Sequence, residues 1–267
     1  MIDGNTRVFA LIGDPVAHSL SPAMQNAAFR ALGLRAVYVA LRCTPDDVAP
    51  LIRALTHAGG GGNVTIPHKE AAATVVDRQL ADASEVGACN VFWGEDGAVL
   101  GGNTDVEGLL RALEPLEPPS DPWLIVGTGG GARAAAIAAA RCGVRVAVSS
   151  RSAERAGAFC RWISERGIEP ASSEECGLVV NATPLGLRAD DPMPVDPGLA
   201  PAAMAAFDMV YRTGETPWVR AMRAAGRRAA DGRGMLVAQG AGALQRWFPG
   251  VMAPTEIMRA AVDAALR

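Results

Sequence analysis

The sequence predicts an α/β fold with parallel strands, and three observations support this prediction. Short apolar runs of strand length alternate with longer segments whose apolar residues recur at helical spacing. A glycine-rich turn, residues 127–131, joins one apolar run to an alanine-rich helical segment. A proline-rich segment, residues 114–122, separates two series of such units. It is typical of a domain boundary in a chain of 267 residues, which is long enough for two modest domains.

The first series of elements is predicted from local signals. Val8 to Ile12 is an uninterrupted apolar run, as in a buried strand. Ser21 and Pro22 predict a helix start, with Ser21 as the N-cap and Pro22 at the first helical position, and this helix reaches about Leu32. The other elements predicted here are a strand at 37–41, a helix at 45–56, a glycine turn at 59–62 leading into a strand at 63–66, a helix beginning at Pro67, a hairpin of strands at 91–93 and 98–100, and a helix at 105–113.

The second series begins after the proline-rich segment. Trp123 to Val126 reads as a buried strand, and the glycine-rich turn follows it directly. Strands that alternate with helices form parallel sheets through right-handed crossovers. The remaining elements predicted are a helix at 132–142, a strand at 144–149, a helix at 154–166, strands at 178–181 and 206–210, and helices from about Met235 to the end.

Composition excludes several classes of protein. A net charge of −3 and a pI near 5.7 disfavour a nucleic-acid or anionic-membrane partner. No apolar run approaches the roughly 18 residues of a membrane span, and the N-terminus lacks a signal-peptide layout. Five cysteines without CxxC spacing predict free, buried thiols in a reducing cytoplasm. Neither the cysteines nor the three histidines show metal-motif spacing, so we expect no metal.

The chain contains a single lysine, Lys69, among 25 lysines and arginines. A lysine amine can release its proton, whereas an arginine cannot, so only Lys69 among these cations is able to act as a general acid or base. Lys69 also falls in the predicted first turn of a helix, where a cation faces the positive end of the dipole. The alternative is a solvated surface lysine that survives in a composition rich in Ala, Arg and Gly.

The glycine-rich turn matches the pattern G-x-G-x-x-[GA], with Gly127, Gly129 and Ala132 at the defining positions. Glycines let the backbone turn tightly and approach a pyrophosphate, which then meets the amides at the start of the helix. The strand before the turn and the helix after it support a dinucleotide site. A glycine-rich turn without a ligand is the alternative.

The residues after the following strand indicate which dinucleotide is preferred. An acid at this position would bind the ribose hydroxyls of NAD. The chain instead has Ser150, Arg151 and, four residues further, Arg155. Arginine grips a phosphate, and at the start of a helix both arginines would share one face. The cofactor predicted is therefore NADP, and surface charge is the alternative.

Other candidate residues have ordinary structural explanations when each is taken alone. Thr104, Asp105 and Glu107 fit a capping box, in which Asp105 is stabilised by the helix dipole. Ser21 fits an N-cap, and Thr65 fits a β-branched strand residue. Ser19 lies in a loop without such a role, and Gln239 could simply be exposed.

Several sequence blocks in a fixed order give these residues a common meaning. The chain resembles the shikimate dehydrogenase family from Phe9 almost to its C-terminus. The blocks that carry the resemblance are His18-Ser-Leu-Ser-Pro22, Asn63-Val-Thr-Ile-Pro-His-Lys69, Gly87-Ala-Cys-Asn90, Asn103-Thr-Asp105, the turn at Gly127, Asn181-Ala-Thr-Pro-Leu-Gly186, Asp208-Met-Val-Tyr211 and Gly234-Met-Leu-Val-Ala-Gln239.

The resemblance implies an N-terminal substrate domain with a mixed sheet and a Rossmann-like NADP-binding domain. The implied bounds are residues 1–103 for the first, with helices at 237–267 packing back onto it, and residues 104–236 for the second. Lys69 and Asp105 would flank the hydroxyl that is oxidised. Ser19, Ser21 and Tyr211 would hold the substrate carboxylate, and Thr65, Asn90 and Gln239 its hydroxyls. The implied cofactor contacts are Gly127, Thr128, Gly129, Gly130, Gly131, Ser150, Arg151, Arg155, Met209 and Gly232.

The function implied is NADP-dependent interconversion of shikimate and 3-dehydroshikimate in aromatic amino-acid synthesis. A relative that acts on quinate or an aminoshikimate is an alternative. Quinate carries an extra hydroxyl beside its carboxylate, so the region of Ser19 and Ser21 should discriminate. A non-catalytic NADP-sensing protein on the same fold is a further alternative, although it would have no reason to keep Lys69 with Asp105. We expect a monomer or a homodimer.

Overall fold

A computed structural model describes residues 2–188 and 190–267 of the chain. Contacts divide it into two units, of which the first comprises Met1–Gly108 and Leu236–Arg267 and the second Leu109–Met235. The divisions fall inside two helices, at 105–113 and 233–247. The predicted bounds at residues 103 and 237 lie close to these divisions, and the assignment of a ligand to each domain stays a prediction.

The first unit is built from a six-stranded sheet and its helices. Its elements are β1 (Arg7–Gly13), α1 (Ser21–Ala31), β2 (Ala36–Arg42), α2 (Val48–His57), β3 (Gly61–Val64), α3 (Lys69–Val75), β4 (Arg78–Gln79), α4 (Ala81–Val86), β5 (Val91–Glu95), β6 (Ala98–Gly102) and the start of α5 (Asp105–Leu113). The end of α9 (Arg233–Trp247) and all of α10 (Thr255–Ala265) complete it.

The sheet of the first unit is mixed, as the resemblance implied. The strand order is β2-β1-β3-β5-β6-β4, with β1 parallel to β2 and β3, and β5 antiparallel to both β3 and β6. The carboxyl ends of β1, β3 and β6 therefore lie at the same edge as the amino end of β5. We call this the site edge, because four loops of the unit converge there.

The glycine run before Asn63 leads into the strand earlier than predicted, because β3 includes Gly61 and Gly62 and ends at Val64. The predicted turn at 59–62 therefore holds only for its first part, and the predicted strand at 63–66 is shifted by two residues. A Cβ on Gly60 would lie 1.9 Å from the Val8 carbonyl oxygen, and one on Gly62 would lie 2.1 Å from that of Ala10. The backbone of Gly60 and of β3 thus packs too closely against β1 for side chains at these two positions. Thr65 falls beyond the end of β3 and is half-buried.

Two predicted helix starts also differ from the structure. Ser21 is the first residue of α1, and the residue before it, Leu20, makes no side-chain cap. Lys69 is the first residue of α3, while Pro67 lies in a turn before the helix and follows a cis peptide bond. The sequence signals located each helix to within two residues, which is the usual uncertainty at helix ends.

An aromatic cluster places the last part of α9 in the core of the first unit. The ring of Trp247 lies 4.8 Å from that of Phe9 and 5.9 Å from that of Tyr38, centroid to centroid. The Trp247 indole also donates to the Phe92 carbonyl at 3.2 Å. Burial of these large rings stabilises the return of the chain to this unit.

The second unit contains a five-stranded sheet. Its elements are β7 (Trp123–Val126), α6 (Gly130–Arg141), β8 (Val146–Ser149), α7 (Ala153–Ser164), β9 (Leu178–Asn181), β10 (Ala205–Asp208), α8 (Pro217–Ala224) and β11 (Arg228–Ala230). The short elements β4, α4, α8 and β11 were not predicted.

All strands of the second sheet are parallel, as predicted, and their order is β11-β10-β9-β7-β8. The chain moves from β7 to β8 on one side and then returns to β9 on the other. Ligands of such sheets bind outside the carboxyl ends of the strands at this reversal. The glycine-rich turn follows β7 at that point.

Three of the five cysteines are buried, whereas Cys142 and Cys160 are exposed, which corrects the expectation that all were buried. Burial raises the pKa of the Cys89 thiol to about 12 and that of Cys176 to about 11. These two thiols are therefore protonated near neutral pH. Among the described residues, no helix is long and apolar enough to cross a membrane.

Candidate active site

The site edge brings together most of the residues predicted to bind substrate. Ser19 lies in the loop after β1, Thr65 follows β3, Asn90 precedes β5 and Asp105 follows β6. Because these strand ends share one edge, residues from distant parts of the sequence become neighbours. Lys69 belongs to the same group, since α3 begins shortly after β3.

Lys69 and Asp105 form an ion pair at the site edge. The Lys69 Nζ lies 2.7 Å from Asp105 Oδ2, and the two side chains are 16% and 5% exposed. An ammonium group has three donors, and Asp105 is its one hydrogen-bond partner among the described side chains. The remaining donors are available to a ligand that carries hydroxyl or carbonyl oxygens.

Two asparagines hold Asp105 in place. Asn90 Nδ2 donates to Asp105 Oδ1 at 2.7 Å, and the Asp105 backbone N–H donates to Asn103 Oδ1 at 2.9 Å. The carboxylate therefore presents one oxygen to Asn90 and the other to Lys69. Buried carboxylates are stable only with such partners, so this arrangement keeps Asp105 oriented.

The support of Asn90 extends into the sheet. The Thr104 backbone N–H donates to Asn90 Oδ1 at 2.8 Å, and Asn63 Nδ2 donates to the Asn90 carbonyl at 2.9 Å. The Tyr38 hydroxyl in turn donates to Asn63 Oδ1 at 2.8 Å. Asn63 and Asn103 were not assigned roles from sequence. A polar residue at the end of a buried strand is the signal that could have identified both.

His68 holds the turn that precedes Lys69. Its imidazole is buried, and Nε2 lies 3.1 Å from the carbonyl oxygen of Cys43, which follows β2. A nitrogen facing a carbonyl must carry the proton, so Nε2–H is the donor. No role was predicted for His68 beyond its place in the block that ends at Lys69, and in the structure it supports the turn that carries the lysine.

The other predicted substrate residues of this unit occupy the same region. The Ser21 backbone N–H donates to Ser19 Oγ at 3.2 Å, and Ser21 is buried. Gln239 is half-buried in α9, and its Nε2 donates to the Leu236 carbonyl at 2.9 Å. A Cβ on Gly108 would lie 2.9 Å from the Gln239 Cβ, so α9 packs directly over the start of α5.

The glycine-rich turn of the second unit has the backbone geometry of a phosphate cradle. Gly127 has a φ of +116°, and a Cβ there would lie 3.1 Å from the Ala182 carbonyl oxygen. Gly129 precedes the first residue of α6, Gly130, and a Cβ on Gly129 would meet nothing within 4 Å. Open space beside the free amides of a helix start fits the pyrophosphate of a dinucleotide. Thr128 lies between these glycines and is half-buried.

Met209, itself predicted to bind cofactor, lies beside two other such positions, Gly131 and Gly232. A Cβ on Gly131 would lie 3.1 Å from Met209 Sδ, and one on Gly232 would lie 2.2 Å from the Met209 carbonyl oxygen. Met209 follows β10 and Gly232 follows β11, so both lie at the carboxyl edge of the sheet. Tyr211 lies two residues beyond Met209 and is half-buried. Tyr211 is the one predicted substrate residue in the second unit.

Ser150, Arg151 and Arg155 follow β8 at the same edge of the second sheet. Both arginine side chains are exposed. Arg151 lies before the first residue of α7, so the helical spacing assumed for the two arginines does not apply. Their place after β8 keeps them at the end of the second strand, where a ribose phosphate is recognised.

A buried polar cluster at the end of β9 and β10 was missed from sequence. Asp208 accepts from Asn181 Nδ2 at 2.8 Å, from the Thr216 hydroxyl at 2.7 Å and from the Val210 backbone N–H at 3.1 Å. Burial, with a smaller contribution from Asp231, raises the pKa of the Asp208 carboxyl to about 6, although the hydrogen bonds lower it. The cluster ties the loops after β9 and β10 together.

Metal ligation is not suggested by the part of the chain that the structure describes. No group of three or more His, Cys, Asp or Glu residues in residues 2–188 and 190–267 is placed to hold a metal ion.

Comparisons with known proteins agree on one family. Residues 11–92 match the shikimate dehydrogenase substrate binding domain, and residues 232–262 match the shikimate 5'-dehydrogenase C-terminal domain. The NADP(+)-dependent shikimate dehydrogenase of Symbiobacterium thermophilum is 39% identical, over 98% of this chain and 96% of the relative.

Two solved structures are similar over nearly the whole chain. The shikimate 5-dehydrogenase of Thermus thermophilus, in complex with NADP(H) and shikimate, has a TM-score of 0.85 and 35% identity, covering 99% of this chain and 100% of that one. The quinate dehydrogenase of Corynebacterium glutamicum, in complex with NAD, has a TM-score of 0.85 and 29% identity, covering 97% of this chain and 99% of that one.

Proposed function

The chain belongs to the shikimate dehydrogenase family, and we propose that it interconverts shikimate and 3-dehydroshikimate with NADP through its Lys69–Asp105 pair. It is an NADP-dependent oxidoreductase of aromatic amino-acid synthesis, as its curated relatives are named shikimate dehydrogenase (NADP(+)). The observation that carries the proposal is the 2.7 Å contact between Lys69 Nζ and Asp105 Oδ2 at the site edge. This pair unites a group able to exchange a proton with a buried carboxylate that fixes it.

Oxidation of a ring alcohol requires removal of both a hydride and a proton. When bound, NADP supplies the acceptor for the hydride, and NADPH supplies the donor in the reverse direction. During reduction the Lys69 ammonium donates a proton to the developing alkoxide and is left as the neutral amine. During oxidation Lys69 first releases its proton to solvent, and the neutral amine then takes the hydroxyl proton. Asp105 accepts from Lys69 and also offers free lone pairs to the substrate hydroxyl, because Asn90 and Lys69 occupy only one position on each oxygen.

The positions of the remaining polar groups support the substrate-binding roles that we propose for them. Ser19 and Ser21 present hydroxyl donors for the carboxylate beside the start of α1. We assign Thr65, Asn90 and Gln239 to the ring hydroxyls. The amides of Asn90 and Gln239 are oriented by their hydrogen bonds to Asp105 and to the Leu236 carbonyl. We assign Tyr211 to the carboxylate as well, on the strength of its sequence block.

The residues of the second unit fit NADP. The φ of Gly127 and the open space at Gly129 suit a pyrophosphate, and we assign Thr128, Gly130 and Gly131 to the same cradle. Arg151 and Arg155 provide two exposed guanidinium groups for a ribose 2'-phosphate, where an acid would repel it. Ser150, Met209 and Gly232 complete the set at the carboxyl edge of the sheet.

The proposed reaction takes place in the cytoplasm. Five unpaired cysteines, two of them exposed, are compatible with a reducing compartment, where such thiols persist.

Quinate is the second candidate substrate, because a solved quinate dehydrogenase is similar over nearly the whole chain. Two small serines at the carboxylate position favour shikimate, and the absence of an acid after β8 favours NADP over the NAD held by that relative. Initial rates with shikimate and quinate, each with NADP and NAD, decide between the candidates. We expect the highest kcat/KM for shikimate with NADP.

The same assay tests the assignment of Lys69. Lys69→Ala should lower kcat by about two orders of magnitude or more, with a much smaller change in KM for shikimate. Absence of activity on all four pairs would contradict an oxidoreductase, and an unchanged kcat in Lys69→Ala would remove the lysine from the mechanism.

A further inference from the structure

An ion pair outside the catalytic group touches the loop that carries Asp105. Arg246 near the end of α9 pairs through Nη2 with Oδ2 of Asp82 in α4. The second oxygen of the same carboxylate, Oδ1, accepts from the Asn103 backbone N–H at 2.9 Å. Asp82 therefore bridges a helix near the end of the chain and the loop between β6 and α5.

From Asn103 the contacts continue directly to the catalytic pair. Asn103 Oδ1 accepts from the Asp105 N–H at 2.9 Å, and Asn103 Nδ2 donates to the Ala88 carbonyl at 2.9 Å. Asp105 then binds Lys69. An unbroken series of hydrogen bonds and ion pairs thus connects Arg246 to Lys69 through Asp82, Asn103 and Asp105.

The guanidinium of Arg246 is fitted closely to this region. A Cβ on Gly102, the residue before Asn103, would lie 3.0 Å from Arg246 Nη1. The Arg246 Cζ also lies 5.6 Å from the centroid of the Trp93 ring, within the range of a cation–π contact. The side chains of Arg246 and Asp82 are 26% and 20% exposed, so this pair is shielded more than a surface pair.

α9 carries a second residue of the site. Gln239 and Arg246 are seven residues apart, which places them on one face of the helix after two turns. One rigid helix therefore determines two positions, that of Gln239 in the proposed substrate site and, through Arg246, that of the loop that carries Asp105.

We propose that Arg246, acting through Asp82, is a positioning residue for Asp105 and hence for proton transfer by Lys69. The proposal rests on the proposed function, since it concerns the same proton transfer. Arg246 contacts none of the reacting groups, and its effect is exerted on the orientation of the carboxylate. Small displacements of catalytic groups lower rates strongly, so the loss of this anchor should appear in kcat.

The structure offers a matched control on the same sheet. Arg53 Nη2 lies 3.2 Å from Asp77 Oδ1, and Asp77 Oδ2 accepts from the Val99 backbone N–H at 2.8 Å. This pair repeats the arrangement of arginine, aspartate and backbone N–H. It supports β6 near its start rather than the loop at its end, so its loss should leave Asp105 undisturbed.

The test compares Arg246→Met, Arg246→Lys and Arg53→Met with the wild-type chain. Arg246→Met should lower kcat with shikimate and NADP about tenfold and change the KM for shikimate less than about threefold. It should also increase the solvent deuterium isotope effect on kcat, because proton transfer becomes slower relative to other steps. Arg246→Lys keeps the charge and should recover most of the rate, and Arg53→Met should behave as wild type.

A second variant guards against a folding defect. Asp82→Asn retains an oxygen that accepts from Asn103 and removes the charge that holds Arg246, so it should show the same kcat and isotope effects as Arg246→Met. Melting temperatures report any loss of folded protein. The proposal is overturned if Arg246→Met and Asp82→Asn keep wild-type kcat and isotope effect, or if Arg53→Met matches their losses. An inactive wild-type chain would instead contradict the proposed function.

Discussion

Asp208 makes stability depend on pH in a direction opposite to that of most carboxyl groups. It is fully buried at the end of β10 and keeps three hydrogen bonds, yet its pKa is raised to about 6 because burial penalises the charged form. The folded protein therefore binds this proton more tightly than the unfolded chain does. Its contribution to the free energy of unfolding is present in full below the ordinary pKa and is lost as pH rises through about 6.

The size of the effect follows from the two pKa values. The ordinary value for aspartate is 3.8, and the value in the structure is about 6. At about 1.4 kcal/mol for each tenfold change in an equilibrium constant, the difference corresponds to about 3 kcal/mol. Asp208 is excluded from solvent, so screening by water does not reduce this figure further.

The perturbation is Asp208→Asn, a substitution that fits the existing contacts. The amide oxygen can accept from Asn181 and Val210 as Oδ1 does now, and the amide nitrogen can donate to the Thr216 hydroxyl. Urea unfolding of wild type and variant between pH 4 and 7.5 gives two stability profiles. The difference, wild type minus variant, should fall by about 2 to 3 kcal/mol across this range, because every other group titrates in both proteins.

Asp47→Asn provides a control of the opposite sign. Asp47 is exposed, and hydrogen bonds from the Thr44 hydroxyl and backbone lower the pKa of its carboxyl. The difference between wild type and Asp47→Asn should therefore rise with pH. A difference for Asp208→Asn that stays flat, or that rises as it does for Asp47→Asn, would refute the assignment of a raised pKa to Asp208.

Three further predictions concern the catalytic and cofactor groups. Lys69→Arg keeps a cation beside Asp105, but an arginine cannot release a proton. The kcat should therefore fall at least about a hundredfold while the melting temperature changes little. Retention of kcat would make the role of the cation purely electrostatic. Arg151→Ala should raise the KM for NADP about tenfold and leave the KM for NAD unchanged, and equal effects on both would contradict a phosphate contact. Gly129→Ala meets no neighbouring atom, so it should keep the stability of the wild type and weaken NADP binding, whereas Gly62→Ala, with its Cβ 2.1 Å from a carbonyl oxygen, should destabilise the fold. Urea unfolding and NADP titration separate the last two outcomes.

Local signals in the sequence were sufficient for most of the fold. β7, the glycine-rich turn and α6 were predicted because the conformation of each is determined mainly by residues that are adjacent in the sequence. The start of β3 was predicted two residues too late, because its glycines are required by the close approach of the β1 carbonyl oxygens, which are distant in sequence. Whether a glycine run forms a turn or a closely packed strand depends on neighbours that a local pattern does not contain.

The candidate site shows the same division. The roles proposed for Lys69 and Asp105 came from sequence blocks, and the structure supplies the ion pair between them. The supporting contacts were not predictable, since Asn103 meets Asp82 and Asp82 meets Arg246 across 164 residues of chain. Such partners have no fixed spacing in the sequence. Asparagine, aspartate and arginine are also common residue types, so none of them stands out in the sequence alone.

The lone lysine is best explained by chemistry rather than by charge. The chain has arginine at its 24 other lysine or arginine positions, and arginine is the cation in ion pairs with Asp3, Asp14, Asp77 and Asp82. If Asp105 needed only a cation, arginine would serve and would add a second hydrogen bond through its planar fork. Lysine differs from arginine in being able to give up its proton. Its occurrence opposite Asp105, an anchored and buried carboxylate at the site edge, therefore points to proton exchange.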